Sequence, residues 1–78
     1  MGQKLTVRYD RVGDILYLEK VAPYSEQESN ELGDEIFARF NPVTGEIETL
    51  EIMFFSTRFR ENAVLELPVS AELRAAAP

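Results

Sequence analysis

Apolar and polar positions alternate most clearly between Glu35 and Phe55, in the stretch EIFARFNPVTGEIETLEIMFF. Ile36, Ala38 and Phe40 fall on one side of an extended backbone, and Glu35, Arg39 and Asn41 on the other together with Phe37. A period of two with β-forming residues predicts a half-buried strand. The run Asn41-Pro42-Val43-Thr44-Gly45 predicts the turn that follows: Asn41 can bond its own backbone, Pro42 presets φ, and Gly45 can adopt the left-handed conformation. The chain then returns as a second strand, closing a hairpin. Ile47 is out of phase with Leu50, Ile52 and Phe54, which predicts a one-residue bulge near Thr49. Met53 and Phe55 make the other side of this strand apolar too, so its end calls for cover on both faces.

The rest of the chain reads as elements packed around that hairpin. Lys4 to Tyr9 sets Leu5, Val7 and Tyr9 against Lys4, Thr6 and Arg8, predicting a strand with one apolar face. Asp10 to Asp14 is a turn, with Asp10 placed to bond loop backbone and Gly13 available for positive φ. Ile15 to Leu18 forms the returning strand, ended by Glu19 and Lys20. Pro23 to Asp34 (PYSEQESNELGD) is polar and acidic, and predicts an exposed connection. Ser25 and Glu28 have capping-box spacing with Gly33 as a stop, but no apolar periodicity anchors a helix there. Ser56 is placed to cap a short helix in which Phe55 and Phe59 share a face. Ala63 to Leu67 predicts a fifth strand halted by Pro68; an unbroken helix over Thr57 to Leu67 is the competing reading. Ser70 caps a short Ala-rich helix reaching Ala77. The expected class is α+β and β-rich: an antiparallel meander of four to five strands from two hairpins, with a short C-terminal helix. One domain spans residues 1–78, with a core over 4–67 and a helical tail over 70–77.

Composition narrows the chemistry. At 78 residues the chain buries roughly two-thirds of its unfolded surface, and it contains neither cysteine nor histidine. No disulfide or thiolate site can reinforce so small a core, so self-association as a homodimer or small homo-oligomer is expected. The formal net charge of −6, from 14 acidic and 8 basic residues, opposes binding to nucleic acid or an anionic membrane. No segment has the apolar length of a secretion signal or membrane span, which points to a cytoplasmic protein. The opening Met1-Gly2 with Thr6 matches a lipidation pattern only weakly, since Thr6 falls inside a strand.

Several of these residues carry a resemblance. Tyr9-Asp10, then Asp14-Ile15-Leu16-Tyr17-Leu18, then Gly33, then Thr44-Gly45-Glu46-Ile47 and Leu50-Glu51-Ile52 ending at Ser56 resemble a family of small bacterial proteins. It is catalogued as a domain of unknown function, number twenty-two eighty-three. The resemblance covers about residues 8 to 56 and implies a small β-rich fold, with no activity attached. The family often has glycine before the Leu-Glu-Ile run, where this chain has Thr49. If that glycine relaxes a bulge, Thr49 must accommodate it with an ordinary backbone conformation.

Candidate chemistry is sparse. Asp10 and Asp14, with Glu51 or Glu19, could supply a carboxylate metal site, although turn chemistry explains both aspartates. Lacking His, Cys and a phosphate-binding glycine loop, the sequence offers no familiar nucleophile, base or nucleotide motif, and no cofactor is expected. Arg58-Phe59-Arg60 with Arg8 and Arg39 could form a basic patch for single-stranded nucleic acid; the competing reading makes Phe59 core and pairs the arginines with surplus carboxylates. Tyr9 and Tyr17 read as amphipathic residues of a sheet edge or interface. The apolar second faces of the Asp14–Glu19 and Glu46–Phe55 strands point to protein contact, with Tyr17, Met53, Phe55 and Phe59 as interaction candidates. An edge strand could also accept a partner's strand. The expected function is a non-enzymatic interaction or regulatory module with itself or another, unidentified protein as partner. The alternatives are an antitoxin-type regulator with nucleic-acid contact through Arg58–Arg60, and a carboxylate metal-binding protein.

Overall fold

Alternation places the first hairpin where it was expected. In the computed structural model, which describes residues 4–76, β1 (Thr6–Asp10) pairs antiparallel with β2 (Ile15–Glu19), from Thr6 opposite Glu19 to Asp10 opposite Ile15. Asp10 Oδ1 holds the turn by accepting the N–H groups of Val12 and Gly13 at 3.1 and 3.2 Å. The positive φ falls on Asp14 (56°), not on Gly13. Gly13 is needed for space instead: a Cβ there would stand 2.8 Å from Asp10 Oδ2.

The acidic stretch departs from expectation. Its second half is a strand, β3 (Glu28–Gly33), paired antiparallel with β4 (Ile36–Phe40). An edge strand is held by main-chain bonds to one neighbour, so it needs no apolar face, and its polar composition hides it. The connecting residues Asp34 and Glu35 have φ of 53° and 58°. Two consecutive left-handed residues give the primed turn whose twist suits a two-residue hairpin. Beyond β4, Asn41 Oδ1 accepts the N–H groups of Val43 and Thr44 at 2.8 and 3.0 Å, and Gly45 takes φ 75°, as expected of this turn. β5 (Ile47–Ile52) then returns along β4. Phe40 faces Ile47 while Arg39 faces Thr49, leaving Glu48 as the extra residue of the expected bulge. Thr49 is absent from the positive-φ residues, so this bulge needs no glycine there.

β5 also pairs with β2, from Leu16 opposite Ile52 to Glu19 opposite Thr49, giving one five-stranded antiparallel sheet in the order β1-β2-β5-β4-β3. The expected meander is therefore corrected. β3, β4 and β5 follow one another, and the long connection from β2 carries the chain to the far edge, so these four strands form a Greek key. The α+β expectation is corrected too. Among the described residues the only helical element is a 3₁₀ turn, η1 (Phe55–Phe59). Its cap position is Phe54, at φ 51° and with no side-chain cap bond, and Ser56 lies inside the turn, so Ser56 does not cap it. Residues 63–67 form neither the expected strand nor the competing helix. Leu65, Leu67 and Val69 are half-buried between exposed neighbours, so the alternation is real but has no strand to pair with. No helix forms over 71–76, and Ala77 lies outside the described residues. A short Ala-rich tail without an apolar face to dock does not offset the cost of helix nucleation.

Cross-strand partners share a face, which sorts the sheet. One face carries Val7, Tyr9, Leu16, Leu18, Leu50, Ile52, Ile36 and Ala38. Among the described residues the buried apolar core consists of four of these, Ile36, Ala38, Leu50 and Ile52, all on β4 and β5. The other face is laced with charge: Arg8 meets Glu19 at 3.1 Å and lies 3.9 Å over the ring of Tyr17, and Arg39 meets Glu51 at 2.8 Å.

Candidate functional site

Past Ile52 the chain turns away from the sheet, and the residues that fix this turn build an aromatic corner. Phe54 O accepts the backbone N–H and the hydroxyl of Thr57, at 3.2 and 2.9 Å. Phe55 N–H donates to Asp14 O at 3.0 Å, while Ser56 donates its N–H to Asp14 Oδ1 (3.0 Å) and its hydroxyl to Oδ2 (2.8 Å). The hydroxyl of Tyr9 donates to the same Oδ1 at 2.5 Å. Asp14 thus ties β1 to η1. The Phe55 ring lies 5.8 Å from that of Tyr9 and 5.5 Å, edge to face, from that of Phe59. Hydrogen bonds from Tyr9, then from Ser56, hold the Asp14 carboxyl below its ordinary value, and the bond to Asp14 pushes the Tyr9 hydroxyl up.

Arg58 braces the corner from below. Its Nε donates to Met53 O at 2.7 Å, Nη2 to the carbonyls of Asp34 (2.6 Å) and Glu35 (3.4 Å), and Nη1 to Asp34 Oδ2 at 3.1 Å. With its side chain only 10% exposed, Arg58 serves the β3–β4 turn and the end of β5. Of the arginines read as a basic patch, Arg8, Arg39 and Arg58 are thus each held by a carboxylate. Arg60 is exposed.

A second polar cluster sits at the opposite end of β5. The bulge presents Glu48, which is buried, to three donors: the Tyr24 hydroxyl (2.5 Å), Gln27 Nε2 (3.0 Å) and Asn41 Nδ2 (3.1 Å). Hydrogen bonds from Gln27, Tyr24 and Asn41 keep the Glu48 carboxyl below its ordinary value despite burial. The same carboxylate raises the Tyr24 hydroxyl to about 12. The break in alternation between Ile47 and Leu50 is the sequence signal that marks Glu48 as the residue turned aside.

Of the interaction candidates, the fold brings Phe55 and Phe59 together and adds Tyr9 to them. Tyr17 lies on the charged face, paired with Glu51 and beneath Arg8. Met53 is half-buried at the junction, its N–H donating to Glu35 O at 3.2 Å. The metal candidates Asp10 and Asp14 stand at the two ends of one turn, with their carboxylates engaged by backbone and hydroxyl donors. Glu19 and Glu51 lie in the sheet as partners of Arg8 and Arg39. Among the described residues no three acidic side chains gather as a metal site would require. The surface depressions beside η1 (Thr57, Arg58, Arg60, Glu61, Asn62) and at the start of β1 (Lys4, Leu5, Lys20, Val21, Glu46) are open to solvent. What the fold leaves uncovered is an apolar margin: Leu5 is 47% exposed, Val7 61% and Tyr9 42% on one side of β1, with Phe54 and Phe59 also exposed at the corner.

Sheet and margin together define a small antiparallel β protein whose first strand is an open apolar edge. A family described as protein of unknown function (DUF2283) matches residues 6–56, and the chain belongs to that family. The matched span starts at the first residue of β1 and ends at Ser56, the residue that clasps Asp14. No curated protein and no solved structure matches the chain. Among the described residues no helix is long and apolar enough to cross a membrane.

Proposed function

We propose that this chain is a non-enzymatic interaction module that works as a cytoplasmic homodimer. The observation that carries the reading is the disproportion between its two apolar sets. Among the described residues four apolar ones are buried, while Val7 and Tyr9 of β1 and Leu5 just before it, with Phe54 and Phe59 near its end, remain exposed. A core this small supplies little net stability, and a clustered apolar margin on a soluble domain marks a contact surface. The polar groups support the same reading. The carboxylates of Asp14 and Glu48 are occupied in holding strands, loop and 3₁₀ turn together, so neither is poised for proton transfer to a substrate. Light scattering behind a sizing column at tens of micromolar is the test. The expected mass is twice the 8.9 kDa of the chain, and a single-chain mass ends the proposal.

A further inference from the structure

We propose that β1 is a self-complementary edge strand whose partner is β1 of a second copy, paired antiparallel about a two-fold axis at Val7. This rests on the homodimer reading and specifies its interface. Lys20 N–H donates to Glu48 O at 2.9 Å, so the even-numbered residues of β2 turn their main chain toward β5 and the odd-numbered ones toward β1. The β1 partners of those odd residues are Thr6, Arg8 and Asp10, whose main-chain bonds therefore point into the sheet. Val7 and Tyr9, and Leu5 by the same alternation, turn their N–H and C=O groups to the outer side, where among the described residues no strand lies. These three also carry the exposed apolar side chains.

Charge then selects the register. In an antiparallel pair of β1 strands the outward-turned residues must meet one another, which leaves alignments centred on Leu5, Thr6, Val7, Arg8 and Tyr9. Centred on Leu5, Leu5 meets Leu5 and Lys4 meets Thr6, with Val7 and Tyr9 facing no described residue of the partner. Centred on Tyr9, Tyr9 meets Tyr9 and Arg8 meets Asp10, but Val7 is set against Arg11 and Leu5 lies beyond the partner strand. Centred on Thr6, Lys4 meets Arg8. Centred on Arg8, the two Arg8 side chains meet at the axis. Centred on Val7, Val7 meets Val7, Leu5 meets Tyr9, Thr6 meets Arg8, and Lys4 meets Asp10. Like charges directly opposite destabilise an antiparallel pair, and opposite charges and apolar pairs stabilise it. Of these, only the Val7-centred register both avoids a like-charge pair and sets all three exposed apolar side chains against one another.

The far edge is unsuited to the same contact. β3 exposes Glu28 and Glu31 and loses register between Glu31 and Gly33, and acidic side chains with a bulge deter edge pairing. The β1 seam closes on itself and joins two five-stranded sheets into one continuous sheet.

The experiment combines mass with a cross-link. Val7→Lys sets two ammonium groups against each other at the axis, and the expected result is a fall from the doubled mass to the single-chain 8.9 kDa with β circular dichroism retained. Val7→Cys keeps the size and introduces the only thiol into a chain without cysteine. Hydrogen-bonded antiparallel partners have Cα atoms about 5.5 Å apart, inside the roughly 4.4–6.8 Å a disulfide spans. Oxidised Val7→Cys is therefore expected to run as a covalent dimer, and Val43→Cys, in the exposed Asn41–Gly45 turn, is not. A wild-type protein at single-chain mass overturns both the homodimer and the seam. A wild-type dimer whose mass survives Val7→Lys, or whose Val7→Cys form cross-links no faster than Val43→Cys, overturns the seam and leaves the homodimer standing. Masses above the dimer indicate head-to-tail pairing of β1 with β3, and also overturn the seam.

Discussion

Two carboxylates, Asp14 and Glu48, hold the ends of the sheet, and both do so as anions. Each is shifted below its ordinary value by donors that the fold supplies: Tyr9 and Ser56 for Asp14, and Gln27, Tyr24 and Asn41 for Glu48. A group whose folded value is depressed contributes stability that is present above its unfolded value and lost as pH falls through the folded one. Melting temperature is therefore expected to be level at neutral pH and to drop as pH falls below the ordinary carboxylate values of 3.8 and 4.5. Glu48→Gln should lower stability at neutral pH and flatten that acid slope; a slope unchanged in Glu48→Gln and in Asp14→Asn would sink the assignment. Tyr24 runs the other way. Raised from 10.0 to about 12, it contributes stability that is present below pH 10 and lost as pH rises through about 12. Ultraviolet titration should show tyrosinate absorbance near pH 12 that disappears in Tyr24→Phe. None of these networks was legible from single residues, because the spacing of Tyr24, Gln27, Asn41 and Glu48 along the chain carries no periodic signal. Only the bulge that turns Glu48 aside left a trace, as a break in phase.

The elements divide by how locally they are determined. Both turns built on an Asx residue, at Asp10 and Asn41, were readable because the side chain bonds its own neighbouring backbone. β3 was not, because an edge strand is specified by its neighbour's main chain and not by its own side chains. The reverse error occurred at 63–67, where apolar alternation exists without a strand beside it. The β3–β4 turn shows the same dependence on distant residues, since Arg58 holds the carbonyls of Asp34 and Glu35 and that of Met53 at once. A lysine offers a point charge, not a planar fork, and cannot bridge three carbonyls in this geometry. Arg58→Lys is expected to cost about 1–3 kcal/mol, the range for leaving part-buried acceptors unsatisfied. Denaturant unfolding measures it, and a loss below about 0.5 kcal/mol would falsify this role for Arg58.

At the scale of the molecule, the sheet consists of two locally connected parts, β1–β2 and β3–β4–β5, that meet only where β2 lies against β5. The antiparallel, β-rich class was legible because strands and tight turns announce themselves locally. The strand order was not, because nothing in the alternation says that β5 comes back to β2. That single seam also sets how the chain reaches its native state. Hairpins close small loops in microseconds, whereas joining Leu16 to Ile52 closes the longest loop in the sheet and costs the most chain entropy. The β2–β5 encounter is then expected to be the rate-limiting event, with the Asp14–Ser56 clasp closing behind it. In stopped-flow experiments Leu18→Ala should chiefly slow refolding, and Ser56→Ala should chiefly speed unfolding. The opposite pattern would place the barrier before the seam forms, with the clasp already closed. A protein assembled this way approaches its barrier as two separate ribbons, and its speed limit is the search of one for the other.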